Sequence, residues 1–371
     1  MPSEEHIQKN SRKWHQASAK KMLAYLKKNS MLISVIVIFL ITALILLNRT
    51  EEEPQPIQEI YEPQQNITVE EEIEAPKMQE SVYIPDTYNN RIQVFSLNGT
   101  YIDEFGSRWD KNYSFKFPTD VLVIDEKIYV LDKGNSMIKV YGLNGTPLFS
   151  FSSRSRGEGL YYPQGFDATA SNLYVADTYN SRIVVFDLEG RFIRSFGAKG
   201  KAPGQFRMPS DVAIENEAVY IADTSNQRVQ KFDLDGNYIA NWGTYTSREE
   251  GFRFPFGIAV LNSTVYVSDS NNHRIKMYDT NGTLLSIFGR FGKDELQFKF
   301  ESKIWPINDR LYIADSFNHR IKVYSLNGTF IFLFGKRGKG AGQLSAPGGI
   351  RVISKGIINA SLSNETVRPF T

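Results

Sequence analysis

The stretch ADTYNSRIVVFDLEG, residues 176–190, ends one β-forming run, turns through polar residues, and starts a second run that stops at a Glu-Gly pair. Nearly the same sentence returns as IADTSNQRVQKFDLDG at 221, VSDSNNHRIKMYDTNG at 267 and IADSFNHRIKVYSLNG at 313. A fixed period of this length describes one supersecondary unit many times over, and it has to be read as an array. The Asp of the turn recurs as Asp86, Asp132, Asp177, Asp223, Asp269 and Asp315, at steps of 46, 45, 46, 46 and 46. Asn follows three residues later in each copy, as Asn89, Asn135, Asn180, Asn226, Asn272 and Asn318. Two further on stands Arg91, Arg182, Arg228, Arg274 or Arg320, with Met137 in the second copy.

Each copy holds four runs of alternating β-branched or aromatic residues bounded by turn formers, as in FGIAVL, TVYVSD, RIKMYD and LLSIFG. Between the third and fourth runs sit Asn98-Gly99, Asn144-Gly145, Glu189-Gly190, Asp235-Gly236, Asn281-Gly282 and Asn327-Gly328, pairs that suit tight hairpins. The unit is a four-stranded antiparallel meander. Six of them predict an all-β fold, a six-bladed β-propeller that hides sheet edges by closing into a ring. Closure is legible too. Pro118, Pro163, Pro209 and Pro255 announce inner strands, but the first copy starts at SVYIPD without one. Pro347, in phase at 92 residues after Pro255, predicts that the carboxyl end completes the first blade. Glu301, standing where Pro is expected, and Pro306 within the run predict an irregular sixth inner strand.

The turn D-x-x-N-h-R-I, seen as DSNNHRI and DSFNHRI, and the connection FG-x-x-G-x-x-x-x-Q-F-x-x-P resemble the NHL-repeat family over roughly residues 81–355. That resemblance implies a propeller. It leaves function open, because the family has protein-binding, RNA-binding, sensory and enzymatic members. Members similar to amidating lyases use channel histidines for metal. Here His273 and His319 occupy the repeated turn, and His6 and His15 precede the apolar run, so no metal or catalytic residue and no cofactor is read.

The repeat is preceded by residues 31–48, whose core MLISVIVIFLITALILL predicts a transmembrane helix that stays as a signal anchor. Residues 1–30 carry seven Lys or Arg and residues 48–80 only Arg49 and Lys77, which places the amino end in the cytoplasm and the remainder outside. Residues 49–80 read as an acidic stalk containing Pro and Gln, 81–355 as the propeller and 356–371 as a tail. The chain has no cysteine, which excludes disulfides, thiolate metal sites and thiol nucleophiles.

Subtracting what repeats leaves three features. The connections between blades hold sixteen basic residues against six acidic ones, although the whole chain carries a net charge of only +2. This basic face, with its non-recurring aromatics, contributes Arg108, Trp109, Arg154, Arg156, Tyr161, Lys199, Lys201, Arg207, Tyr245, Arg253, Arg290, Lys293 and Arg337 as candidate binding residues. At the channel mouth, two residues after each Pro-equivalent, the order is Asp120, Gly165, Asp211, Gly257, Lys303, Gly349, which makes Asp120, Asp211 and Lys303 candidate site residues there. The opposite face carries the sequons Asn98, Asn144, Asn262, Asn281 and Asn327 as candidate glycosylation sites. The expected partner is an acidic surface glycan or acidic protein. A lyase or hydrolase with its site at the channel mouth is the second reading, and nucleic acid conflicts with the predicted side of the membrane.

Overall fold

The structure, a computed structural model, describes residues 80–106, 114–152, 159–249 and 251–353. The expected cytoplasmic tail, membrane anchor, all but the last residue of the stalk, and carboxyl tail lie outside the described residues. Among the described residues, no helix is long and apolar enough to cross a membrane.

Six four-stranded antiparallel sheets are formed. Blade 2 runs Pro118–Ile124, Lys127–Asp132, Met137–Gly142 and Pro147–Phe151 from the inside outward. Blades 3 to 6 repeat the meander with inner strands Phe166–Ala168, Pro209–Glu215, Pro255–Leu261 and Glu301–Ile307. Blade 1 is assembled from both ends of the repeat region. Arg351–Ile353 lies antiparallel to Ser81–Asp86, with Val82 opposite Val352, and Pro347 bridges Asp86. The in-phase proline therefore marks a real latch.

The core lies between neighbouring blades. Tyr174, Val185 and Phe206 pack with Val219 and Phe232, all buried, and comparable clusters join the other blades. A tyrosine three residues before the turn Asp staples blade to blade. The Tyr174 hydroxyl donates to the Leu234 carbonyl oxygen at 2.9 Å, and Tyr129, Tyr266 and Tyr312 make the equivalent bond to Leu188, Leu326 and Leu97. The ring is buried apolar surface and its hydroxyl is satisfied by the next blade, so each tyrosine fixes both spacing and register.

The turns and the sixth inner strand differ in detail from the sequence pattern. The Asn of the turn is not the left-handed residue. It ends a three-residue 3-10 turn, and the next residue (Asn90, Ser136, Ser181, Gln227, His273 or His319) adopts positive φ. Its side chain instead donates to the turn Asp, as Asn226 Nδ2 does to Asp223 Oδ2 at 2.8 Å. At the outer hairpins only the glycine has positive φ, as at Gly99 with φ 85°, while Gly99 N–H donates to Ser96. This is the pattern of a three-residue loop with a glycine bulge rather than a two-residue turn. The sixth inner strand is irregular only at its start, where the register shifts between Glu301 and Ile304 as it does between Pro255 and Ile258 in blade 5; beyond that Trp305 pairs with Tyr312 and Pro306 with Leu311. Pro306 is tolerated because the inner strand is a sheet edge with no neighbour on its channel side.

Candidate functional site

The repeated turn is a buried clamp. All six turn aspartates are fully buried. Asp223 Oδ1 accepts the Arg207 N–H at 2.7 Å, while Oδ2 accepts from Asn226, Arg228 and Gln230 at 2.8, 2.8 and 3.0 Å. Where Met137 replaces the arginine, Lys139 Nζ reaches Asp132 Oδ2 at 3.0 Å, so the buried carboxylate keeps a cation. His273 and His319 belong to this scaffold. Each Nδ1 accepts the backbone N–H of the residue preceding the next inner strand, Phe300 at 3.2 Å and Ala346 at 3.0 Å, and Asn90, Ser136 and Gln227 do the same elsewhere. Burial holds both imidazole pKa values below the ordinary range. Neutral histidine is what an accepting Nδ1 requires.

The face made by these turns and the between-blade connections gathers the predicted cations. Lys199, Lys201, Arg207, Arg253, Arg290, Lys293 and Arg337 are exposed, and none forms an ion pair with a described residue. Arg108, Trp109, Arg154 and Arg156 lie outside the described residues. Tyr161 is 52%, Phe291 64% and Tyr245 71% exposed, too open to be packing residues. By contrast Phe115, Phe206, Phe252 and Phe298, which recur in the connections, are buried.

More aromatics share this face than the connections alone suggest. Tyr161, Tyr162 and Tyr179 form a trio with ring centroids 5.4 Å apart. Phe300 contacts Phe256 at 5.7 Å and Phe317 at 5.1 Å, and Tyr88 meets Phe117 at 6.0 Å. The residue before each inner strand has positive φ in every blade: Phe117, Tyr162, Met208, Phe254, Phe300 and Ala346. Glycine or asparagine would suit that backbone better. Four of the six are aromatic nonetheless, so conformation does not explain the side chain. The signal was available at two positions of the repeat, the residue before the Pro-equivalent and the second residue of the turn.

At the axis the three channel charges meet. Lys303 Nζ lies 2.7 Å from Asp120 Oδ2 and also bonds Asp211 Oδ1, and all three side chains are buried. Each carboxylate also accepts backbone N–H groups from its own and the following blade: Val121 and Phe166 for Asp120, Val212 and Ile258 for Asp211. The glycines between them make this possible, since a Cβ at Gly165 would collide with Asp211 Oδ1 and Lys303 Nζ. Burial pushes the Asp211 carboxyl well above its usual range, with Lys303 opposing and Asp120 adding to the rise. Burial works against the Lys303 ammonium, but Asp120 and Asp211 outweigh it and raise its pKa. Both carboxylates are thus taken up by one lysine, and no group here stands ready as a free general base.

This triad is the floor of a cavity of about 450 Å³. The cavity extends away from the basic face, to the turns after the inner strands, where Asn216, Asn262 and Asn308 are exposed at the rim. The other sequon residues, Asn98, Asn144, Asn281 and Asn327, are exposed in outer hairpins on that side.

A family model described as DUF5128, 6-bladed beta-propeller, matches residues 164–243. The chain is similar to a solved structure of a protein of unknown function from Bacteroides caccae, at 12% identity and a TM-score of 0.56, covering 74% of this chain and 99% of that one. The fold is a six-bladed β-propeller. None of the curated proteins compared with it matches the chain. Among the described residues of the propeller, no group of His, Cys, Asp and Glu is arranged to hold a metal ion.

The sequence reading missed Asp167, Trp305 and Arg351. Moving two residues along each inner strand from the charged ring gives a second ring: Leu122, Asp167, Ala213, Ala259, Trp305 and Arg351. The Arg351 guanidinium carbon lies 3.8 Å from the Trp305 ring centroid, and its Nη1 is 3.7 Å from Asp167 Oδ1. Period-2 alternation was the available signal, provided the latch strand was first aligned with the other inner strands.

Proposed function

We propose that this chain is a membrane-anchored, extracytoplasmic propeller of the NHL type whose turn-bearing face binds an acidic surface glycan. The observation that carries this reading is the coincidence of exposed cations with exposed aromatic clusters on one face. In the described connections twelve basic residues stand against three acidic ones, a density that focuses a positive potential over that end of the ring. Aromatic faces such as Tyr245 and Phe291 supply flat apolar area for sugar rings, and neighbouring lysines and arginines meet the acidic substituents. An acidic protein partner is the other occupant this chemistry fits. The anchor and outside orientation rest on the apolar run and the basic bias of residues 1–30. The sequons of the opposite face, if glycosylated, leave the basic face open.

The test is retention on an immobilised sulfated polysaccharide at low and high salt. Reversing Lys201, Arg253 and Lys293 to Glu is expected to lower affinity more than about tenfold at low salt and to flatten its salt dependence, since exposed charges act through a screened field. Reversals at Lys127 and Arg191 on the other face serve as controls and change little. Tyr245→Ala and Phe291→Ala weaken binding at both salt concentrations. Equal retention by the two sets of reversals overturns the basic-face reading, and capture only by acidic proteins replaces the glycan with a protein.

A further inference from the structure

We infer that the central channel is a second ligand site, on the face opposite the cations, and that it takes a small hydroxylated carboxylate of hexuronic-acid size with Arg351 as its anion anchor. A ring built from six copies of one strand has no structural need for different residues at one level, and repetition marks scaffold. The second channel ring breaks the repeat in a directed way. Blades 4 and 5 place Ala213 and Ala259 there, which leaves room, and blades 6, 1 and 3 place Trp305, Arg351 and Asp167 around that room.

Two residues that line this space each keep a donor without a partner. Among the described residues, Arg351 Nη1 and Trp305 Nε1 have no hydrogen-bond partner, although both atoms are buried. Arg351 is 3% exposed, and its ion pair with Asp167 Oδ1 is loose, at 3.7 Å beyond hydrogen-bond distance. Buried donors of this kind are nearly always satisfied, and a planar guanidinium is best satisfied by a carboxylate that takes two of its N–H groups. A cavity of about 450 Å³ holds a molecule of sugar size. Most of the remaining lining is apolar, and its polar groups are Asp167, Glu215 and the rim residues Asn216, Asn262 and Asn308. Those groups suit the hydroxyls of a ligand whose carboxylate lies deeper. The asparagines alone would say nothing, because positive φ at all three already explains them. Lys303 is not an anchor, since Asp120 and Asp211 occupy it.

Calorimetric titration of the full-length chain in detergent with glucuronate, galacturonate and glucose tests this. The uronates are expected to bind at least tenfold more tightly than glucose. Trp305→Phe keeps an aromatic ring beside Arg351 but removes the indole N–H together with the five-membered ring, and should weaken uronate binding several-fold. Arg351→Met should weaken it more than tenfold where thermal unfolding shows the variant folded. Lys201→Glu and Arg253→Glu on the basic face should leave it unchanged, which separates this site from the face proposed above. A short oligouronide binding more tightly than the monomer identifies the end of a glycan chain as the source, and equal or weaker binding identifies the free acid. Binding of uronate and glucose alike, binding of neither, or an undiminished affinity in both Trp305→Phe and a folded Arg351→Met overturns the proposal.

Discussion

Asp223 sits at the convergence of four hydrogen bonds, so its replacement removes more than one interaction. Asp223→Ala would leave the Arg228 guanidinium, 10% exposed, without its carboxylate and the Arg207 N–H without an acceptor, while Asn226 and Gln230 would keep only their bonds to the Gly200 and Gln205 carbonyl oxygens. Breaking a buried ion pair on one side costs about 3–5 kcal/mol, and that is the expected loss in a denaturant titration, with the ligand affinity of the folded fraction unchanged. The histidines make a prediction in pH. Burial depresses both imidazole pKa values in the fold, so the unfolded chain binds more protons in the window below the ordinary value of about 6.5. The stability they contribute is present above that value and is lost as pH falls through the folded pKa. Replacing His273 by Asn and His319 by Gln, residue types that accept the same bond at 90 and 227, should remove that part of the acid sensitivity. A urea midpoint that falls between pH 7.5 and 5.5 equally in both proteins would count against it.

The inner strand of blade 6 holds an element-scale conflict. Glu301 stands where the other five blades have Pro, is fully buried, and has no hydrogen-bond partner on either carboxyl oxygen among the described residues. Burial raises its pKa far above the ordinary carboxyl value, with Asp315 and Asp269 adding to the rise. The sign is opposite to that of the histidines. The fold favours the protonated acid, so this stability is present below about pH 4.3, where the unfolded group ionises, and is lost as pH rises toward the folded pKa. At neutral pH Glu301 is a liability. Glu301→Pro, at a strand-start position where Pro occurs in five homologous strands, should raise stability by about 1–3 kcal/mol at pH 7. The gain should be larger at pH 8 than at pH 5 in the same unfolding assay. An unchanged or lower midpoint at pH 8 would show that the carboxyl has a use the fold does not reveal.

On the scale of the whole molecule, ring closure decides stability. Truncation before residue 345 removes the strand that covers Ser81–Asp86, the Ser345 N–H that bonds Asp86, and the Ala346 N–H that bonds His319. Blade 1 then offers an open sheet edge, and its cluster with blade 6 loses Ile350 and Val352. A single cooperative melt shifted to much lower temperature is expected by circular dichroism, and a melt like that of the intact chain would mean that closure is dispensable.

The period of the turn Asp, the in-phase Pro347 and the alternation within each run determined the blades and their closure from sequence alone, because strand periodicity and turn chemistry are local and were written six times. The charge excess of the connections was legible for the same reason: every connection falls on one face once the meander is drawn. What one residue does across the ring was not local. The sequence placed Asp120, Asp211 and Lys303 around one channel, but only the tertiary structure brought them within bonding distance and saturated them. Asp167, Trp305 and Arg351, from residues 167 to 351 of the chain, became neighbours only by closure. Whether a charge is a free site or a satisfied one depends on distances between blades, and sequence spacing within a blade does not contain them.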